Sequence, residues 1–172
     1  VADHIKGVHE RTFYFKKLLD KIKDNYDFIF IDTPPATDIK VDNIMVASDY
    51  VIVVLETKRF AFECSQELTN SYLQTLYDYF SDEINVQVAG ILLVMLDKTH
   101  TVEQLIVDKT VKYFGKQNIF NAIIKSHLRL ENYGEYGVQF EDYQDRAMFA
   151  LFSDLYAELM ERIDQFESKG DI

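Results

Sequence analysis

Tyr26-Asp27-Phe28-Ile29-Phe30-Ile31-Asp32-Thr33-Pro34-Pro35 places four consecutive apolar residues ahead of an aspartate and a pair of prolines. A short unbroken apolar run predicts a parallel strand covered on both faces, and prolines, which supply no ladder N–H, stop it. The strand is expected over 28–31. Ligands in open parallel sheets sit beyond the carboxyl ends of the strands. Asp32 stands there, and a carboxylate at such a point can hold, through water, the Mg²⁺ that bridges nucleotide phosphates. The plainer alternative is that Asp32 merely caps the helix that follows.

Upstream, Phe15, Leu18, Leu19, Ile22 and Tyr26 recur at helical spacing and predict an amphipathic helix near 10–24. Downstream, the continuous run Tyr50–Leu55 and the nearly all-apolar stretch Val86–Met95 read as buried strands, over 50–55 and 87–95. Leu68, Tyr72, Leu76 and Phe80 mark a helix over 62–80 between them. Thr101-Val102-Glu103-Gln104 has capping-box spacing, so a helix over 101–114 is expected, carrying Val102, Leu105 and Ile106 inward and ending at Gly115. A fourth strand is expected over 119–124, a loop over 132–137 with two glycines, and a last helix over 145–166 burying Met148, Leu151, Phe152, Leu155, Leu159 and Ile163. Buried-type strands alternating with helices predict an α/β fold, a parallel sheet flanked by helices on both faces.

The chain has 172 residues, 48% of them hydrophobic, with 6 glycines and 2 prolines, which excludes a disordered or collagen-like polymer and fits a single domain over 1–172. Its net charge of −11 is the wrong sign for a surface that grips nucleic acid or anionic lipid throughout, so any DNA contact must be local. The one cysteine, Cys64, suits a reducing cytoplasm and is expected as a small buried apolar residue. No apolar run approaches the roughly 20 residues of a membrane span, and the four histidines show no metal-ligand spacing.

The quoted string resembles the YDxIxIDxPP signature of ParA, MinD and their relatives, the deviant P-loop ATPases. Asn43-Ile44-Met45-Val46-Ala47-Ser48-Asp49-Tyr50-Val51, Ala61-Phe62-Glu63, Gly90-Ile91-Leu92, Tyr113-Phe114-Gly115, Phe120–Ile124 and Leu128-Arg129-Leu130 continue the likeness across nearly the whole chain. The stretch from Ile123 to Leu130 is similar to the ParA branch on plasmids of Gram-positive bacteria, some members being described as replication-associated. The resemblance implies a plasmid-partition ATPase using ATP and Mg²⁺, with Asp32 as the Walker B carboxylate and catalytic metal holder. It further implies Thr33 and Pro34 beside the nucleotide, and Asp97, Lys125 and Ser126 near the base. Implied partners are a second copy in a homodimer, nonspecific DNA and a ParB-like centromere-binding protein, with no membrane.

The family's phosphate loop reads K-G-G-x-G-K followed by Ser or Thr, whereas the one Gly-Lys pair here, Gly115-Lys116, is followed by Gln117. The chain therefore reads as the C-terminal part of a P-loop ATPase without its N-terminal P-loop strand, which the family places between the strand ending at Asp32 and that at 50–55. Lys109, Lys112 and Lys116, at i, i+3 and i+7, together with Lys125, His127 and Arg129, are the candidate DNA contacts, against the plainer alternative of a solvated face. Arg146 is expected to pair with Glu141, Asp142 or Asp145. Three other readings stay open: a bacterial tyrosine kinase, which shares the Ile31–Pro35 string but ends in a tyrosine cluster absent here; a MinD-like ATPase, whose basic C-terminal membrane helix contrasts with Asp154, Glu158, Glu161, Asp164 and Glu167; and a non-catalytic interaction domain.

Overall fold

The computed structural model describes residues 7–34, 38–80, 82–96 and 101–170. The chain forms two compact units, one of residues 1–51 and 66–87, the other of residues 52–65 and 88–172.

The second unit holds the sheet, in the order β1 (Tyr50–Glu56), β2 (Gln87–Leu96), β3 (Ile119–Lys125). β2 and β3 run parallel, with Ile91 opposite Ile119 and Leu93 opposite Ile123. The expected α/β fold is present, a parallel sheet flanked by helices. Leu55, Ile91, Leu93, Ile119 and Phe120 are at most 1% exposed, as befits strands covered on both faces. The helices here include α6 (Thr101–Phe114), α7 (Leu128–Tyr136) and α8 (Tyr143–Gly170). α6 ends where Gly115 takes φ 82° and donates its N–H to Val111 O at 3.0 Å, the left-handed close that glycine permits at low cost. Of its three expected inward residues only Ile106 is buried; Val102 and Leu105 are exposed.

α8 is fixed to the sheet by a charged pair. The Arg162 guanidinium donates to Ala89 O (3.1 Å), Ile119 O (2.9 Å) and Glu158 Oε1 (2.7 Å), and lies 4.4 Å from the Phe120 ring centre. Glu158 Oε2 accepts the Asn121 N–H at 2.8 Å. The β2–β3 register shifts between Ile91 and Leu93, so side chains of α8 satisfy backbone groups at the irregular part of the ladder. Gly90 leaves the room: a Cβ there would stand 2.9 Å from an Arg162 nitrogen and 2.9 Å from the Phe120 ring.

Residues 132–137, expected as loop, belong instead mostly to α7. His127 Nδ1 accepts the Arg129 N–H at 3.1 Å as its N-cap, and Gly137 closes it at φ 77°. Gly134 sits within the helix, where the cost of about 1 kcal/mol is tolerated. Phe152, expected inward, is 42% exposed on α8. Cys64 is also exposed, because the next position, Ser65, occupies the inward face of α4 (Arg59–Glu67).

The first unit is helical. The expected 10–24 helix is broken into α1 (Val8–Thr12) and α2 (Tyr14–Leu19), then a 3-10 turn at Lys23–Asn25. The break is Phe13, whose ψ of 7° leaves the helical range and whose ring is buried against His9 (4.4 Å) and Phe80 (5.2 Å). Packing of one aromatic overrides the propensity of the stretch. α3 (Ile39–Ala47), which periodicity did not indicate, packs on both helices and receives the Phe15 N–H on Asn43 Oδ1 at 3.1 Å. The expected 62–80 helix is α4, a π-helical turn at Leu68–Tyr72, and α5 (Leu73–Phe80).

Residues 28–31 do not form the expected strand. Phe28, Ile29 and Phe30 are 43, 40 and 74% exposed, in backbone with no regular structure. A strand exists only through its ladder partner, and the strand that the resemblance places beside this segment is not among the described residues.

Candidate functional site

In the first unit the chain leaves the 3-10 turn at Tyr26 with φ −135° and ψ 140° and continues irregularly to Asp32. The Asp32 carboxylate is exposed, with no hydrogen bond or ion pair among the described residues. It does not cap the following helix. That cap is Asp38, whose Oδ1 accepts the N–H groups of Lys40 (2.9 Å) and Val41 (3.2 Å). Thr33 is half-buried and Pro34 exposed; Pro35 lies outside the described residues.

In the second unit the carboxyl end of the sheet is shaped by an irregularity that sequence did not signal. Between the pairs Val94–Ile124 and Leu96–Lys125 the register slips, and the extra residue, Met95, takes φ 58°. A bulge with a non-glycine residue in the left-handed region stores strain, and both features concentrate at ligand-binding ends of sheets. The carbonyls on either side are claimed from both neighbours: Thr57 N–H donates to Val94 O (3.3 Å) and Ser126 N–H to Leu96 O (3.4 Å). Thr57, only 1% exposed, also donates its hydroxyl to Glu103 Oε2 at 3.0 Å. Its one sequence signal was a threonine directly after a strand. Lys125 and Ser126 stand exposed at this end, and Asp97 lies outside the described residues.

The basic candidates divide. Lys109 and Lys112 are exposed on one face of α6, without ion pairs among the described residues. Lys116, expected on the same helical face, lies past Gly115 in a 3-10 turn. Lys125 is exposed, and His127 is the α7 cap. Arg129 is largely buried: it donates to Asp142 and to Gln144 Oε1 (3.3 Å), and its Nε lies 3.4 Å from Asp145 Oδ1. Arg129 therefore takes the carboxylates expected for Arg146. The Tyr133 hydroxyl (2.6 Å) holds the Asp145 carboxyl below the usual carboxylate range, helped by the amides of Glu141 and Asp142 and by Arg129.

Among the described residues no group of three His, Cys, Asp or Glu side chains could hold a metal unaided. Mg²⁺ keeps several waters and needs one or two carboxylates plus phosphate oxygens, a mode that an unpaired carboxylate such as Asp32 fits. No helix among the described residues is long and apolar enough to cross a membrane.

Residues 1–88 match the AAA domain family. The chain is 33% identical over 135 residues to the chromosome-partitioning ATPase Soj of Treponema pallidum, covering 78% of this chain and 51% of that protein. It is 27% identical over 150 residues to the sporulation initiation inhibitor protein Soj of Bacillus subtilis, covering 87% and 58%. Chromosome partitioning protein ParA of Myxococcus xanthus is 29% identical over 129 residues, covering 74% and 44%. The chain thus spans about half the length of the curated relatives it matches. In fold it is similar to cobyrinic acid a,c-diamide synthase of Mycobacterium smegmatis, solved with ADP and magnesium, at TM-score 0.55 and 17% identity over 77% of this chain and 58% of that one. A family match over half of the chain makes it a member of the AAA domain family, and Soj and ParA proteins are among those it is similar to.

Proposed function

We propose that this chain carries the metal-holding half of a partition ATPase, with Asp32 as the carboxylate that positions Mg²⁺ against the β- and γ-phosphates of ATP. The observation that carries the reading is the division of labour between two aspartates. Asp38 caps α3, which leaves the exposed Asp32 carboxylate with no structural duty among the described residues. Phosphoryl transfer depends on positioning and charge stabilisation, and a carboxylate that fixes the metal contributes to both. Thr33 and Pro34 would line the phosphate side, and Asp97, Lys125 and Ser126 the base. The phosphate cradle itself, amides and lysines, belongs to a loop that these 172 residues do not contain.

The likeness of Ile123–Leu130 to plasmid ParA proteins of Gram-positive bacteria favours plasmid segregation as the cargo, in the cytoplasm, as a homodimer working with a ParB-like adaptor. Nonspecific DNA would be met by Lys109, Lys112, Lys116 and Lys125, since Arg129 is committed to Asp142 and Asp145. The test is Mg²⁺-dependent ATP hydrolysis by the intact ATPase containing this sequence. Asp32→Asn should reduce it at least a hundredfold, on the scale of losing one transition-state contact, and hydrolysis at the wild-type rate would remove the assignment.

A further inference from the structure

Residues 27–34, Asp32 among them, lie in no helix or strand, so the carboxylate is placed by the elements at either end of its segment. Upstream stand α2 and the 3-10 turn that ends at Asn25; downstream α3 starts at Ile39. Among the described residues, two side-chain hydrogen bonds leave α3 for other elements. Asn43 Oδ1 accepts the Phe15 N–H at 3.1 Å, which ties α3 to the helix upstream of the segment. Asp42 Oδ1 accepts the Tyr72 hydroxyl proton at 2.6 Å, which ties it to the π-helical turn Leu68–Tyr72.

The second bond depends on that turn. Leu68, Tyr72, Leu76 and Phe80 would share one inward face of a regular helix, but a π turn takes up an extra residue, and the buried residues of α5 are Leu73 and Leu76. Tyr72 is left half-buried with its hydroxyl on α3. Burial first, and the Asp42 carboxylate beside it, push the Tyr72 phenol above its usual range, so it stays protonated and remains the donor. A hydroxyl given to a carboxylate at this length is among the stronger hydrogen bonds, and π turns concentrate at functional places.

We propose that Tyr72 is a positioning residue for Asp32: through Asp42 it fixes α3, and with α3 the downstream end of the segment that carries the metal-holding carboxylate. The inference rests on the reading of Asp32 given above. A shift of about 1 Å at a reacting centre can cost a hundredfold in rate, so an exposed carboxylate on an irregular segment depends on what anchors that segment.

Mg²⁺ titrations of ATP hydrolysis by the intact ATPase, with thermal melts alongside, test it. Tyr72→Phe keeps the ring and should raise the Mg²⁺ concentration at half-maximal rate about tenfold, on the scale of one such hydrogen bond. Asp42→Ala should raise it equally and the double variant no further, because each removes the same bond. Asp42→Asn, whose amide oxygen still accepts the hydroxyl proton, should restore most of the wild-type Mg²⁺ dependence. Should Tyr72→Phe not fold, Asp42→Ala against Asp42→Asn reads the same bond. A merely structural contact would lower Tm and leave the Mg²⁺ dependence as it was; that result would overturn the proposal, as would additive effects in the double variant or no recovery in Asp42→Asn. Asp32→Asn, run beside them, separates the two readings. If it abolishes hydrolysis while Tyr72→Phe titrates as wild type, Asp32 holds the metal and Tyr72 does not position it; if it hydrolyses ATP at the wild-type rate, both readings fall.

Discussion

Phe28-Ile29-Phe30-Ile31 and Ile91-Leu92-Leu93-Val94 are equally apolar runs, yet Ile91 and Leu93 are each 1% exposed while Phe30 is 74% exposed. The difference lies in what surrounds them. β2 has a neighbour on each side and the Arg162–Glu158 pair of α8 at its irregular rung, whereas no ladder partner for residues 28–31 exists among the described residues. Hydrophobicity nominates a strand, but hydrogen-bonding neighbours make one. The candidate motif therefore sits in exposed backbone, while the β2–β3–α8 corner is buried and cross-linked by hydrogen bonds.

Perturbing that corner should give the largest effects. Arg162→Met would leave the Ala89 and Ile119 carbonyls and the Glu158 carboxylate without their donor, at a cost of about 3 kcal/mol or more in urea unfolding. Gly90→Ala should cost less, about 1–3 kcal/mol, because its Cβ meets Arg162 and Phe120 and one of them must shift. Asp145→Asn should lessen acid sensitivity. A carboxyl held below its ordinary value stabilises the fold at neutral pH and loses that contribution as pH falls through 3.8 and below. Thermal melts from pH 6 to 3 should show a shallower decline in the variant, and parallel declines would contradict the Tyr133–Asp145 contact. Phe30→Ser, on the exposed segment, should change stability by less than about 0.5 kcal/mol; a large loss would mean that the segment is covered after all.

Much of the second unit was legible in the sequence because each signal there was local. Apolar runs of strand length, β-branched and continuous in β1, marked β1, β2 and β3, and Gly115 marked the end of α6. α3 was not legible: Asp38 was its one local sign, and Ile39-Lys40-Val41-Asp42 has weak helical periodicity. α7 hid behind Gly134 and Gly137 and an unusual histidine cap. The Arg162 clamp and the Met95 bulge join residues distant in sequence through backbone atoms, which no spacing rule encodes. For the candidate site, an aspartate after an apolar run was readable, but not that the run would stay outside the sheet, nor whether Asp32 or Asp38 capped the next helix, since both precede that helix and both can cap.

That pair of aspartates offers the most direct test. In the intact ATPase, Asp38→Ala and Asp32→Asn should exchange effects: Asp38→Ala should lower Tm through a cap loss of about 1 kcal/mol and keep Mg²⁺-dependent ATP hydrolysis, while Asp32→Asn should keep Tm and lose the hydrolysis. If Asp32→Asn lowers Tm and spares hydrolysis, Asp32 is a structural residue and the metal-holding assignment is wrong.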